Sequence, residues 1–143
     1  QLIGKKPNND KFVIGLTRPE LHNDNENMAV FQMEDIAFVT SGINQRFFEK
    51  EGKTYHHIID ANSGYPSDNN LGSVSIYTEK GIDADLLSTA TFLLGLDKGM
   101  DFINSLDGVE AVFVTRDKKV YSTVKDVEME IVDETYKLEE YKK

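Results

Sequence analysis

Val74-Ser75-Ile76-Tyr77-Thr78-Glu79-Lys80-Gly81-Ile82-Asp83-Ala84-Asp85-Leu86-Leu87-Ser88-Thr89-Ala90-Thr91-Phe92-Leu93-Leu94-Gly95 is where the hydrophobic period of this chain changes. Up to Thr78, apolar and polar residues alternate, as a strand with one buried face requires. From Asp83 onward the apolar residues Leu86, Leu87, Ala90, Leu93 and Leu94 return at helical spacing. Asp83 can cap this helix and Gly95 can stop it. Asp97 can open a second short helix through Phe102 to Leu106, ended by Gly108.

On either side of this stretch the chain reads as short strands. Upstream they fall at residues 12–16, 28–33 and 36–40, with a hairpin of 46–50 and 53–59 turning at Glu51-Gly52. Residues 19–27 form an acidic, Asn-rich loop. Downstream, 110–115 and 120–123 make a further hairpin, and 126–143 is expected to hold one irregular strand and a frayed end. Residues 1–10 and 133–143 are accordingly expected to be flexible. Strands, a helical pair, then strands again lack a regular βαβ alternation. The expectation is a single domain over residues 1–143 of class α+β, a mainly antiparallel sheet with two helices packed on one side.

A chain of 143 residues is long enough for a real core. Its net charge of −9, from 16 basic and 25 acidic residues, argues against a nucleic-acid surface and reads as solubility. No apolar run is long enough to cross a bilayer. Cysteine is absent, which excludes thiolate metal sites, disulfides and a cysteine nucleophile, and leaves the redox compartment unreadable. No signal sequence is visible, but the chain begins at Gln1 rather than Met and is expected to be a piece of a longer protein.

Three constellations could carry chemistry. Asp85 and Thr89 stand four apart on the predicted helix, so a carboxylate and a hydroxyl share a face and could serve a hard cation such as Mg²⁺, which takes its other ligands from water and phosphate. Each also has a structural reading, Asp at the helix dipole and Thr bonded to its own backbone. Thr40-Ser41-Gly42 follows an apolar strand and could cradle a phosphate, with Arg46 adding a planar charged contact; the alternative is an ordinary turn. His56 and His57 are neighbours and face opposite ways on a strand, so one of them can reach a given site. Asp60 then begins Asn62-Ser63-Gly64, either as a partner of that imidazole or as an Asx turn.

Taken in order, Thr40-Ser41-Gly42 with Arg46, then His57-Ile58-Ile59-Asp60 with Gly64-Tyr65-Pro66, then Ala84-Asp85 with Thr89-Ala90 and Gly95, resemble the C-terminal portion of the ApbE-type flavin transferases. These are FAD:protein FMN transferases, with TSG followed by an Arg, HIIDPRTGYP, and ADALATA ending in a Gly. The resemblance covers nearly the whole chain. Two departures stand out. Ala61-Asn62-Ser63 replaces Pro-Arg-Thr, and the Gly-Ala-x-x-Lys-Gly segment of the family's N-terminal half does not occur in these residues.

The resemblance implies an ApbE, T-fold-like architecture and an enzyme that cuts FAD at its pyrophosphate, attaches FMN to a Thr or Ser of a target protein and releases AMP. It implies Mg²⁺ on Asp85 and Thr89, and FAD positioned by Thr40, Ser41, Gly42, Arg46, His57 and Ile58. It makes His57 the base and Asp60 the group that orients His57 or the metal shell. Two alternatives stay open, a non-catalytic FAD-binding or protein-interaction module and an FAD pyrophosphatase giving FMN and AMP. A third makes the chain itself a flavin acceptor at Ser88-Thr89-Ala90-Thr91. The resemblance also implies an exported protein, periplasmic or lipid-anchored to the cell membrane, any membrane attachment being through an upstream anchor outside this chain.

Overall fold

β6 (Leu71–Thr78) is the strand around which the other elements are arranged in the computed structural model of the chain, which describes residues 1–22 and 26–142. It pairs antiparallel with β3 (Ala37–Gly42) on one side and β7 (Val109–Thr115) on the other. β7 continues to β8 (Lys119–Ser122), and β8 pairs in parallel with the short β10 (Lys137–Leu138). The sheet order is therefore β10-β8-β7-β6-β3. A second, three-stranded sheet, β1 (Phe12–Thr17), β2 (Asn27–Met33) and β9 (Glu128–Ile131), is antiparallel throughout. β4 (Phe47–Lys50) and β5 (Lys53–His56) form a separate hairpin.

Alternation along the central strands divides the molecule into layers. Val74, Ile76, Ala111 and Phe113 join the core under the helix, whereas Val112 and Val114 join Leu16, Met28 and Phe31 in a second core against the small sheet. The fold is thus helix, five-stranded sheet, three-stranded sheet, which agrees with the expected α+β class. β3 runs two residues further than expected, through Gly42, so Thr40-Ser41-Gly42 is strand and not a turn.

The helical region differs from expectation in three ways. The two expected helices are one element, α1 (Gly81–Asn104), broken internally at Gly95, whose φ of 77° a side-chain-bearing residue rarely adopts. Asp83 lies in the first turn but does not cap it; the N-cap is Lys80, without a side-chain bond, and Asp97 instead accepts a hydrogen bond from the Tyr141 hydroxyl at 2.8 Å. Finally, the buried face is not the leucine stripe. Ala84, Ser88, Thr91, Phe92, Gly95, Gly99, Met100 and Ile103 face the sheet, while Leu86, Leu93 and Leu94 are exposed and Leu87 is half-buried. Close approach explains the choice. A Cβ built on Gly99 would lie 3.0 Å from both the Phe113 ring and the Thr91 methyl, so small residues set the helix against β6 and β3.

Both chain ends make contacts with the body of the fold. Leu2 donates its N–H to the Ile36 carbonyl, and Gly4 donates to Asp35. Arg18 pairs with Asp133 at 2.8 Å, and buried Tyr136 donates its hydroxyl to Glu20. Residues 23–25 of the acidic loop, and residue 143, lie outside the described residues. Among the described residues, no helix is long and apolar enough to cross a membrane. Replacing Gly99 with Val should overpack the helix–sheet contact and lower stability by about 1–3 kcal/mol. Urea unfolding followed by circular dichroism measures this, and a wild-type midpoint would refute it.

Candidate functional site

Ser41 faces α1 from the last turn of β3. Its hydroxyl lies 2.8 Å from the Ser88 hydroxyl and 2.9 Å from that of Thr89. Strand alternation sends its neighbour the other way. Thr40 bonds Ser75 at 2.8 Å on the face away from the helix, so Thr40 and Ser41 do not act on one ligand through their side chains. Gly42 is buried, and a Cβ there would meet Ser73 and the Gly72 carbonyl at 3.2 and 3.3 Å; it permits close strand packing rather than leaving a cradle open.

The two histidines separate as their adjacency requires. His56 is 5 % exposed, packs edge-on against Phe92, and donates from Nε2 to the Ser67 carbonyl at 3.2 Å. Burial holds its pKa below the ordinary imidazole value. His57 is exposed. Its backbone N–H and its Nδ1 both reach the Arg46 carbonyl, at 3.1 and 3.2 Å. Because a carbonyl can only accept, Nδ1 carries the proton and Nε2 keeps its lone pair. The orienting partner of His57 is thus a backbone carbonyl, a role that sequence reasoning assigned to Asp60.

Asp60 is used locally. Its Oδ1 accepts from the Asn62 N–H at 2.9 Å and the Asn62 amide at 3.1 Å, and its pKa is lowered first by that backbone bond. The Asx-turn reading is therefore the structural one. Gly64, with φ of 70°, donates to the Asp60 carbonyl, and Ile58 and Ser67 close the loop through Ser67 N–H to the Ile58 carbonyl. Ile58 itself is 3 % exposed and packs in the helix-side core, so its side chain is a support and not a ligand contact.

A cleft of about 770 Å³ runs under this loop, lined among others by His56, Asp60, Asp68, Asn69, Leu93 and Arg116. His57, Ser41 and Thr89 do not line it. The Ser41–Arg46 segment links the groups that remain, bonded to α1 at one end and to His57 at the other. The Arg46 carbonyl was not foreseen; no residue type marks a backbone acceptor. Ser88 was weighed only within an acceptor segment, and its contact with Ser41 was not foreseen.

Asp85 and Thr89 are both exposed, one turn apart on α1. Their carboxylate and hydroxyl oxygens suit a hard cation. Among the described residues no three His, Asp or Glu side chains converge, so a cation here would take its remaining ligands from water or from a bound phosphate. The acceptor reading of Ser88-Thr89-Ala90-Thr91 is disfavoured for Ser88 and Thr91, both fully buried, and the Ser88 hydroxyl already donates to the Asp85 carbonyl at 2.9 Å.

The lowered pKa of His56 has a measurable sign. Above the ordinary value of about 6.5 both folded and unfolded states are neutral, and the ring contributes no pH dependence. Below it, the unfolded chain takes up a proton that the buried ring resists, so stability falls until the pH drops past the folded pKa. Urea unfolding at about pH 7.5 and pH 5 should show a larger loss in wild type than in His56→Gln; equal losses would refute this.

The chain has counterparts among known proteins. The FAD:protein FMN transferase of Treponema pallidum is 40 % identical over 111 residues, 77 % of this chain and 31 % of that protein. That of Klebsiella pneumoniae is 42 % identical over 82 residues, 57 % of this chain and 26 % of that protein. Crystal structures of the ApbE protein from Thermotoga maritima (TM-score 0.67, 34 % identity, 78 % of this chain and 36 % of that one) and of Pseudomonas stutzeri flavinyl transferase ApbE (TM-score 0.61, 30 % identity, 80 % and 34 %) share the fold. The chain thus spans about a third of the length of the relatives it matches. The ApbE family pattern covers residues 1–113, which include Ser41, His57, Asp60, Asp85 and Thr89. On that match and these likenesses, the chain belongs to the ApbE family.

Proposed function

We propose that this chain is the part of a FAD:protein FMN transferase that supplies the base and the cation ligands. The observation that carries this reading is the Arg46 carbonyl on His57 Nδ1, which leaves Nε2 of an exposed imidazole as a proton acceptor. In the proposed step the hydroxyl oxygen of a target Thr or Ser attacks the FMN phosphorus of FAD. Its proton passes to His57 Nε2, and the pyrophosphate P–O bond breaks with both electrons leaving on AMP. Asp85 and Thr89 would hold Mg²⁺, which when bound offsets charge on the pyrophosphate. The exposed Arg46, whose carbonyl bonds His57, would offer its guanidinium to a phosphate oxygen. An extracytoplasmic location belongs to the same proposal.

A second reading is a module that binds FAD without turning it over, and what favours it is that Ser41, His57 and Thr89 do not line the cleft. The products distinguish the readings. The polypeptide is incubated with FAD, Mg²⁺ and a Thr- or Ser-bearing acceptor protein. AMP together with acceptor fluorescence in a denaturing gel supports transfer, AMP with free FMN supports pyrophosphatase action, and bound FAD without AMP supports the module. Where AMP appears, His57→Ala should lower its rate by roughly 10²–10⁴-fold. A wild-type rate in that variant removes His57 from the mechanism, and unaltered Mg²⁺ dependence in Asp85→Ala removes the cation ligands.

A further inference from the structure

The hydroxyls of Ser88, Ser41 and Thr89 form a chain whose direction is fixed at one end. Ser88 is fully buried and its Oγ lies 2.9 Å from the Asp85 carbonyl, which can only accept. The single Ser88 proton is thereby committed. Across the 2.8 Å contact between Ser88 and Ser41, Ser41 must then donate. With its own proton used, Ser41 can only accept across the 2.9 Å contact to Thr89, so Thr89 donates to Ser41. Thr89, an exposed residue one turn from Asp85 on α1, is left with no proton to present and only lone pairs for a further partner.

We propose that Ser88 is a positioning residue that sets the polarity of Thr89, making its hydroxyl an electron-pair donor toward a hard divalent cation. The inference rests on the reading of Asp85 and Thr89 as cation ligands. Without the Ser88 hydroxyl, Ser41 is free to donate to Thr89. The Thr89 proton then turns outward, where a cation is repelled. Ser88 touches neither cation nor substrate in this scheme, and its action passes through Ser41.

The test uses Mn²⁺ alone as a paramagnetic probe and reads broadening of ¹H–¹⁵N amide signals, with no turnover involved. In wild type the amides of Asp85, Thr89 and Ser41 should broaden first, and Asp85→Asn should abolish this. Ser88→Ala should raise the Mn²⁺ concentration for half-maximal broadening roughly five- to ten-fold, the worth of one hydrogen bond. Ser88→Cys, a weaker donor of similar volume, should fall between, and serves in place of the Ala variant if that loses its signal dispersion. Because the effect passes through Ser41, Ser88→Ala should add nothing in a Ser41→Ala background. An equal loss in both backgrounds would mean a merely structural role and overturn the inference. Wild-type affinity in Ser88→Ala, with binding lost in Asp85→Asn, overturns it while leaving the cation site standing. Wild-type affinity in Asp85→Asn removes the cation site and the inference together.

Discussion

The close approach of α1 to the five-stranded sheet is the constraint on which both the core and the candidate site depend. Large side chains at the small-residue positions of the helix face would hold it off β3 and β6. Ala84, Ser88, Thr91, Gly95 and Gly99 instead let it settle until Gly99 meets the Phe113 ring. Hydroxyl contacts under 3 Å between a strand and a helix are available only at that separation. The same small residues that seat the helix therefore bring Ser41 onto Ser88 and Thr89. A substitution that widened the gap would loosen packing and separate the hydroxyls at once.

This explains which parts of the molecule were legible in the sequence. The strands read at 12–16, 28–33, 74–78 and 110–115 lie within three residues of the observed bounds of β1, β2, β6 and β7, and of these only 74–78 was read from alternation. The helix declared its existence but not its face. Leu86, Leu93 and Leu94 carry more hydrophobicity than Ala84, Ser88 and Gly99, and a pattern that weighs hydrophobicity alone turns toward them. What selected the buried face was steric fit to a sheet whose position the sequence does not display. Gly95 was read as a stop, and the helical backbone does break there, at φ 77° and ψ −179°; what the sequence did not show is that the second helical stretch follows without a loop.

The candidate site was legible in its residues and not in its wiring. His57 could be told from His56 only by resemblance, and the strand then places one inside and one outside. Asp60 looked like the natural partner of an imidazole three residues away. In the fold its oxygens are taken by the Asn62 turn, and the Arg46 carbonyl orients His57 instead. Backbone acceptors belong to every residue, so nothing in a side-chain pattern marks the one that matters. Thr40 was grouped with Ser41 by adjacency, whereas strand geometry puts them on opposite faces.

The pairing of β2 with β9 joins residues nearly a hundred positions apart, as Gln32 with Glu128, bonded at 3.2 Å, illustrates. The loop enclosed between them contains the whole five-stranded core apart from β10. Closing so long a loop is entropically slow, and local pairings such as β4 with β5 form well before it. During synthesis the small sheet must wait for β9 to leave the ribosome, with β2 lacking one neighbour until then. Until then Met28, Phe31 and Met33 lack part of the cover they have in the folded core.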